Sequence, residues 1–271
     1  MSTVDVPAAA AATVMLLRDS AAGIEVLLQR RRAEMDFGGR ALVFPGGRLD
    51  EADGDAAMLG PLLGQDLGDT AARMRLDTDD VARRRALALH VCALRELFEE
   101  AGLLLARPLR PGAAVPTGAE LQAIRARVLG GAPLAGELDR LGLCVDIGAL
   151  TYVARFLTPL GLPRRYDAHF FATRVPTGAV TAFHAGEAIE EAWSTARDVL
   201  AAADAGEAVL MPPTRIMLAE MARHQDVESL LTELGGRPVA AILLRLDQVG
   251  GPLPDHLPGI EESIALGTEL A

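Results

Sequence analysis

A chain of 271 residues that is 50% hydrophobic but only 4% aromatic can bury a full core, built largely of Ala, Leu and Val. Its net charge of −11 argues against a protein that coats a nucleic acid polymer or an anionic membrane, because both call for a basic footprint. Its only cysteines, Cys92 and Cys144, have no metal-like spacing and read as buried or inert thiols in a reducing compartment.

The alanine run Ala8 to Ala12 has no basic leader, and the apolar stretch after it is interrupted by Arg18. Neither a signal peptide nor a membrane span is expected, nor is the C-terminal Glu269-Leu270-Ala271 the usual peroxisomal address, so the chain reads as soluble and cytoplasmic. Ala11 to Leu17 and Ile24 to Gln29 are short apolar runs around Asp19 to Gly23, which predicts a hairpin. Arg30-Arg31-Arg32 follows, either a solvated basic end or a phosphate-facing cluster. Met35 and Phe37, before Gly38-Gly39, are either loop anchors or the lining of an acyl or adenine pocket. Ala41 to Phe44 reads as another strand, and Pro45-Gly46-Gly47 as a tight turn whose backbone could approach an ion closely.

Residues 48–85 are polar and glycine-dotted with small apolar patches, a partly helical insertion. Asp77 to Asp80 offers N-caps for a long helix beginning nearby. Ala86 to Leu105 is periodic, with Leu87, Val91, Leu94 and Phe98 as the buried stripe and Gly102 as a left-handed stop. His90 reads as a structural residue of that helix. Helices are expected over Thr117 to Leu129 and Leu134 to Leu141, then strands over Leu150 to Leu157 and Tyr166 to Thr173 joined by the Pro159-to-Pro163 turn. His169, in the second of these strands, reads as structural. Arg197 to Ala203, the stretch after Pro212-Pro213-Thr214, and Val227 to Leu234 predict three more helices, with Val239 to Leu246 a last strand. Strands interleaved with helices without a regular βαβ period predict an α+β or layered α/β/α fold. Residues 1–271 are read as a single domain, with 204–271 a C-terminal extension.

Within the long helix, Glu96, Glu99 and Glu100 stand at i, i+3 and i+4 and project from one face. Crowded carboxylates repel one another, and a hard divalent cation resolves the conflict through oxygen ligands. Read alone, the segment is merely an acidic helix face.

It does not stand alone. Gly46-Gly47 together with Arg95-Glu96-Leu97-Phe98-Glu99-Glu100-Ala101-Gly102-Leu103 resembles the Nudix box: Gly, five residues, Glu, seven residues, then Arg-Glu-apolar-any-Glu-Glu-any-Gly-apolar. The second half agrees at every specified position. Counting from Gly47, the arginine would fall at position 61 and here stands at 95, an insertion of 34 residues. The first acidic slot falls on Asp53 counted from Gly47, and on Leu87 counted back from Arg95. An interrupted box resembles the branch that includes the mammalian peroxisomal coenzyme A diphosphatase. Val26 to Arg30, Val43 to Gly47, Leu157 to Pro159, Pro163 to Phe171 and Met211 to Thr214 agree with that branch too.

The resemblance implies a mixed-sheet α/β/α sandwich and an enzyme, a hydrolase of phosphoric anhydrides that cleaves a small-molecule nucleoside diphosphate linked to another moiety. It implies Mg²⁺ or Mn²⁺ held by Glu99, Glu100, Glu96 and the Gly47 carbonyl, with Glu96 either a ligand or the base, and with Arg95 holding the glutamates. Glu187, Glu190 and Glu191 lie where some relatives place a further acidic ligand or base, Glu190 being the first choice; the alternative is a solvated strand end or loop. Arg30, Arg164 and Arg165 are the expected substrate arginines, although the last two could equally pair with Asp167 or acidic surface neighbours. The expected substrate is coenzyme A or acyl-coenzyme A, the alternatives being ADP-ribose or NADH, or a non-catalytic ligand sensor on the same fold. A homodimer is left open.

Overall fold

The computed structural model describes residues 6–33, 39–62, 73–74, 79–184, 186, 188–243 and 256–257. A mixed nine-stranded sheet lies between two helical layers, the expected α/β/α sandwich. Its axis is β1 (Ala9–Ser20), whose alternation sends Ala12, Val14 and Leu16 into one core and Met15 and Leu17 into the other.

On one flank β1 divides its partners. Its C-terminal end pairs with β2 (Gly23–Arg31), from Leu17 opposite Val26 to Ser20 opposite Gly23, as the predicted hairpin. Beyond Val26, β2 pairs instead through Gln29 and Arg30 with β3 (Ala41–Val43). The space this opens beside the start of β1 is filled by β4 (Gly46–Arg48), antiparallel to Ala11–Thr13. The two glycines, expected to form a tight turn, are therefore strand residues. The reason is steric: a side-chain carbon on Gly46 would collide with the Ala12 carbonyl and the Thr13 backbone.

The remaining strands complete the sheet. Strands β5 (Ala106–Pro108) and β6 (Leu143–Val145), which periodicity does not announce, form a small separate ribbon. β7 (Thr151–Leu157) pairs antiparallel with β8 (Tyr166–Arg174), and β8 runs parallel to β1 from Ala9 to Leu17. β9 (Ala188–Thr195) lies along the outer edge of β2. Short β10 (Val209–Leu210) and β11 (Ala241–Leu243) close the two ends in parallel with β3 and β7.

The described part of the insertion holds a 3-10 turn (Glu51–Gly54) and a short helix, α1 (Ala56–Leu59). The long helix α2 (Asp80–Ala101) starts where the Asp79 side chain accepts from the Ala82 N–H at 2.8 Å and stops at Gly102 with φ of 70°. It spans 80–101 rather than 86–105, because the cap lies upstream and the left-handed glycine ends it before Leu103. The expected stripe is buried, but so are Leu89, His90, Cys92 and Ala93. The helix is enclosed because Met58, Leu59, Leu62 and Met74 of the insertion, α3 (Gly118–Leu129) and α4 (Leu134–Leu141) join the same core. Truncating a core leucine there, such as Leu94→Ala, costs about 2–5 kcal/mol.

The second layer is α5 (Ala196–Asp204), α6 (Pro212–Met221) and α7 (Val227–Gly236). Ile216, Met217, Met221, Leu230 and Leu234 pack against Met15, Leu17, Val26 and Phe170. The segment from 204 onward thus supplies much of one face of the sandwich and both end strands. The last predicted strand is observed over Ala241–Leu243; residues 244–246, and the candidates Met35, Phe37 and Glu187, lie outside the described residues. No helix among the described residues is long and apolar enough to cross a membrane.

Candidate active site

The sheet brings together what the insertion separates. Gly47 on β4 lies so close to Glu96 on α2 that any side-chain carbon there would overlap the Glu96 carboxylate. The Gly46 N–H donates to Glu100 Oε2 at 2.8 Å. Both carboxylates are buried, Glu96 at 9% and Glu100 at 8% exposure, while Glu99 is half-buried. An unaccompanied buried carboxylate is costly, so such a cluster calls for compensating positive charge. Three carboxylates beside a glycine backbone are a set of hard oxygen donors that suits a divalent cation. The donor chemistry fits the ion that the interrupted box implies.

Arg95 supplies part of the compensation. Its Nη1 donates to Glu96 Oε1 at 2.8 Å and reaches Glu99 at 3.5 Å, and its Nη2 reaches the Arg48 carbonyl at 3.1 Å. The rest of its fork grips Asp53, Nε to Oδ1 at 2.8 Å and Nη2 to Oδ2 at 3.0 Å. Asp53 is buried at the start of the insertion, where its Oδ2 also accepts from the Asp50 N–H in a capping box. The ambiguous acidic slot is thus filled from the Gly47 side, and Leu87 is simply a core residue. Burial works against the Arg95 charge, but the bond to Asp53 and the charges of Glu96 and Asp53 outweigh it and hold the guanidinium firmly protonated. Cys92, 3.8 Å from the Gly47 carbonyl, has its thiol pushed up first by burial and then by the Asp53 charge. It stays a neutral packing group.

A cleft of about 580 Å³ opens from Gly46, Gly47 and Glu100. Its other walls are largely apolar, including Phe44, Phe156, Leu162, Phe170, Met211 and Pro212. The arginines along it are Arg31 and Arg48, not the expected three. Arg30 forms a 2.8 Å ion pair with Glu190, Arg165 donates to the Thr158 and Val6 carbonyls, and Arg164 is exposed. Asp167, the suggested partner of the last two, is held by Arg155 at 2.7 Å and 3.0 Å instead. Arg31 has a buried Nε with no hydrogen-bond partner among the described residues. Strand alternation puts Arg31 on the side of Gln29, away from Arg30, and that was the available sequence signal.

The same alternation corrects Glu190, which is exposed and turned toward Arg30. Glu191 opposes Gln29 in the β2–β9 register and accepts from its Nε2 at 3.3 Å, while that same Nε2 contacts the Glu100 carbonyl at 3.2 Å. Of the two acids, Glu191 is the one near the glutamate cluster. His90 and His169 are packing residues, as expected. His90 is lowered to about 4 by burial, and His169, which meets the Tyr152 hydroxyl at 3.1 Å, is lowered by burial as well. A second group, Glu220, His224 and Glu233, has ligand atoms within 4.8 Å of one another. Arg237 already supplies its cation, with Nη1 2.8 Å from Glu220 and Nη2 on Glu233, so this cluster is a clasp between α6 and α7.

Comparison with known proteins agrees with this geometry. A family model described as the NUDT19 Nudix domain matches residues 2–223. The human acyl-coenzyme A diphosphatase NUDT19 is 30% identical over 285 residues, covering 90% of this chain and 74% of that protein. Its chicken counterpart from Gallus gallus is 28% identical, covering 76% of this chain and 63% of its own length. Among solved structures, a Nudix hydrolase from Alicyclobacillus acidocaldarius is 31% identical with a TM-score of 0.68, over 84% of this chain and 96% of that one. With the interrupted box reassembled around Gly47 and the match running through most of the sequence, the chain belongs to the Nudix family of pyrophosphate-bond hydrolases, on the coenzyme A diphosphatase branch.

Proposed function

We propose that this hydrolase uses Mg²⁺ or Mn²⁺ to cleave the diphosphate of coenzyme A or acyl-coenzyme A, giving 3′,5′-ADP and a phosphopantetheine derivative. The observation that carries the reading is the continuity of the cleft. Its polar end is Gly46, Gly47, Glu100 and Arg31, and its walls are largely apolar. A nucleotide joined through a diphosphate to a long, uncharged arm has the matching distribution of charge.

Glu96, Glu99, Glu100 and the Gly47 carbonyl would hold the ion. When bound, such an ion neutralises diphosphate charge and makes water acidic enough to attack. The protein's own part is positional. Arg95 fixes Glu96 and Glu99, the Gly46 N–H fixes Glu100, and the Arg31 Nε, which has no hydrogen-bond partner among the described residues, suits a phosphate oxygen. Glu96 or a neighbouring glutamate takes the proton from the attacking water, and the apolar walls keep bulk water from the arm.

The test is a panel of coenzyme A, acyl-coenzyme A, ADP-ribose and NADH, each with Mg²⁺ and Mn²⁺ and with products identified by mass. Coenzyme A and its thioesters should be cut within the diphosphate. Resistance of both while ADP-ribose is consumed would overturn the substrate assignment. Glu99→Gln and Glu100→Gln should each abolish most turnover, and full activity in both would refute the metal site.

A further inference from the structure

Every α-helix leaves its last four carbonyls without intrahelical partners. In α2 those carbonyls belong to the turn that carries Glu99 and Glu100, and each has a named donor. Phe98 receives the Gly102 N–H at 3.0 Å, and Ala101 receives the Ala182 N–H at 2.9 Å. The other two receive Arg125 of α3. Its Nε and Nη2 reach the Glu99 carbonyl at 3.1 Å and 2.7 Å, and Nη2 also reaches the Glu100 carbonyl at 2.9 Å.

Arg125 is only 6% exposed. Burying a guanidinium is costly unless its donors are used, and these are directed at the end of a helix dipole, where a cation is favoured. Burial lowers the Arg125 pKa, and the charges of Glu191 and Glu100 oppose that. Space is reserved for the fork: a side-chain carbon on Gly102 would meet Arg125 Nη1 at 3.0 Å. In sequence the residue stands out as a cation one helical turn after Leu121 and beside Ile124, on the apolar flank of α3.

We propose that Arg125 is a positioning residue for the metal-binding glutamates, clamping the backbone of Glu99 and Glu100 so that their side chains leave the helix at a fixed angle. The proposal rests on the hydrolase reading above. Loosening the last turn should let both carboxylates swing, and groups that orient ligands cost about 10–100-fold in affinity or activity when removed.

The variants are Arg125→Lys, which keeps the charge but loses the fork, and Arg125→Gln, which loses both. For each, Mn²⁺ binding is measured calorimetrically without substrate, kcat and KM are measured on the best diphosphate of the panel, and the thermal midpoint is measured without metal. Both variants should bind Mn²⁺ about tenfold more weakly and lose about tenfold or more in kcat, with KM nearly unchanged. If Arg125→Gln does not fold, Arg125→Lys carries the same comparison. A lowered thermal midpoint with unaltered Mn²⁺ affinity and kcat would make Arg125 a structural clamp only and overturn the proposal. An unaltered protein that neither binds Mn²⁺ nor cleaves any diphosphate would remove the hydrolase reading and this proposal together.

Discussion

Asp53→Asn tests whether the insertion is part of the site or merely passes by it. The substitution keeps the shape but removes the charge that faces Arg95. In the native protein the pair is bidentate at 2.8 Å and 3.0 Å, with side-chain exposures of 1% for Asp53 and 14% for Arg95. Solvent screening is therefore slight. An asparagine oxygen can satisfy one of the two Arg95 donors. Its amide N–H₂ must then face the remaining Arg95 donor and, in one of its two orientations, the Asp50 N–H as well, which now uses Oδ2. Breaking a buried pair from one side costs about 3–5 kcal/mol. Arg95 retains Glu96 and the Arg48 carbonyl, so the lower end, about 3 kcal/mol, is expected. At this chain length that lowers the thermal midpoint by roughly 6–12 °C. Turnover should fall as well, although Asp53 is not a lining residue of the cleft, because Arg95 then re-orients Glu96 and Glu99. Urea unfolding and kcat on the same preparation measure both effects, with Arg95→Met and the double variant completing a cycle. A coupling energy near zero would refute the argument, since it would mean that the two side chains do not support each other.

Two further outcomes follow from the same geometry. Gly47→Ala should leave the far-ultraviolet dichroism native but cut kcat by about a hundredfold, because the new methyl occupies the place of the Glu96 carboxylate; full turnover in that variant would contradict the close approach. His90 bears on pH dependence, since its imidazole is lowered from 6.5 to about 4 by burial. Between those values the unfolded chain binds a proton that the folded chain refuses, so stability falls as pH drops from 6.5 to 4, by about 3 kcal/mol for this residue. His90→Leu should flatten that slope by close to one proton, with His169 retaining a share of it, when urea unfolding is followed at stepped pH. An unaltered slope would remove His90 as its source.

The sequence by itself determined the long helix, its left-handed stop and the three glutamates on one turn, since all are local. Periodicity of 3.6 residues and the φ freedom of glycine act within a few positions of the chain. It determined most strands for the same reason, and the resemblance supplied the fold. What it left ambiguous was every question of partner. Arg30 and Arg31, or Glu190 and Glu191, are equivalent as letters. Strand alternation separates the members of each pair, but only the pairing of β2 with β9 decides that Arg31 lines the cleft and Glu191 meets Gln29, while Arg30 and Glu190 join outside it. Whether Asp53 or Leu87 fills the acidic slot depended on where the insertion leaves the strand, and Arg125 acquires meaning only where α3 crosses the end of α2. Burial, register and charge compensation act between residues far apart in the chain, and for that reason the tertiary structure alone decided them.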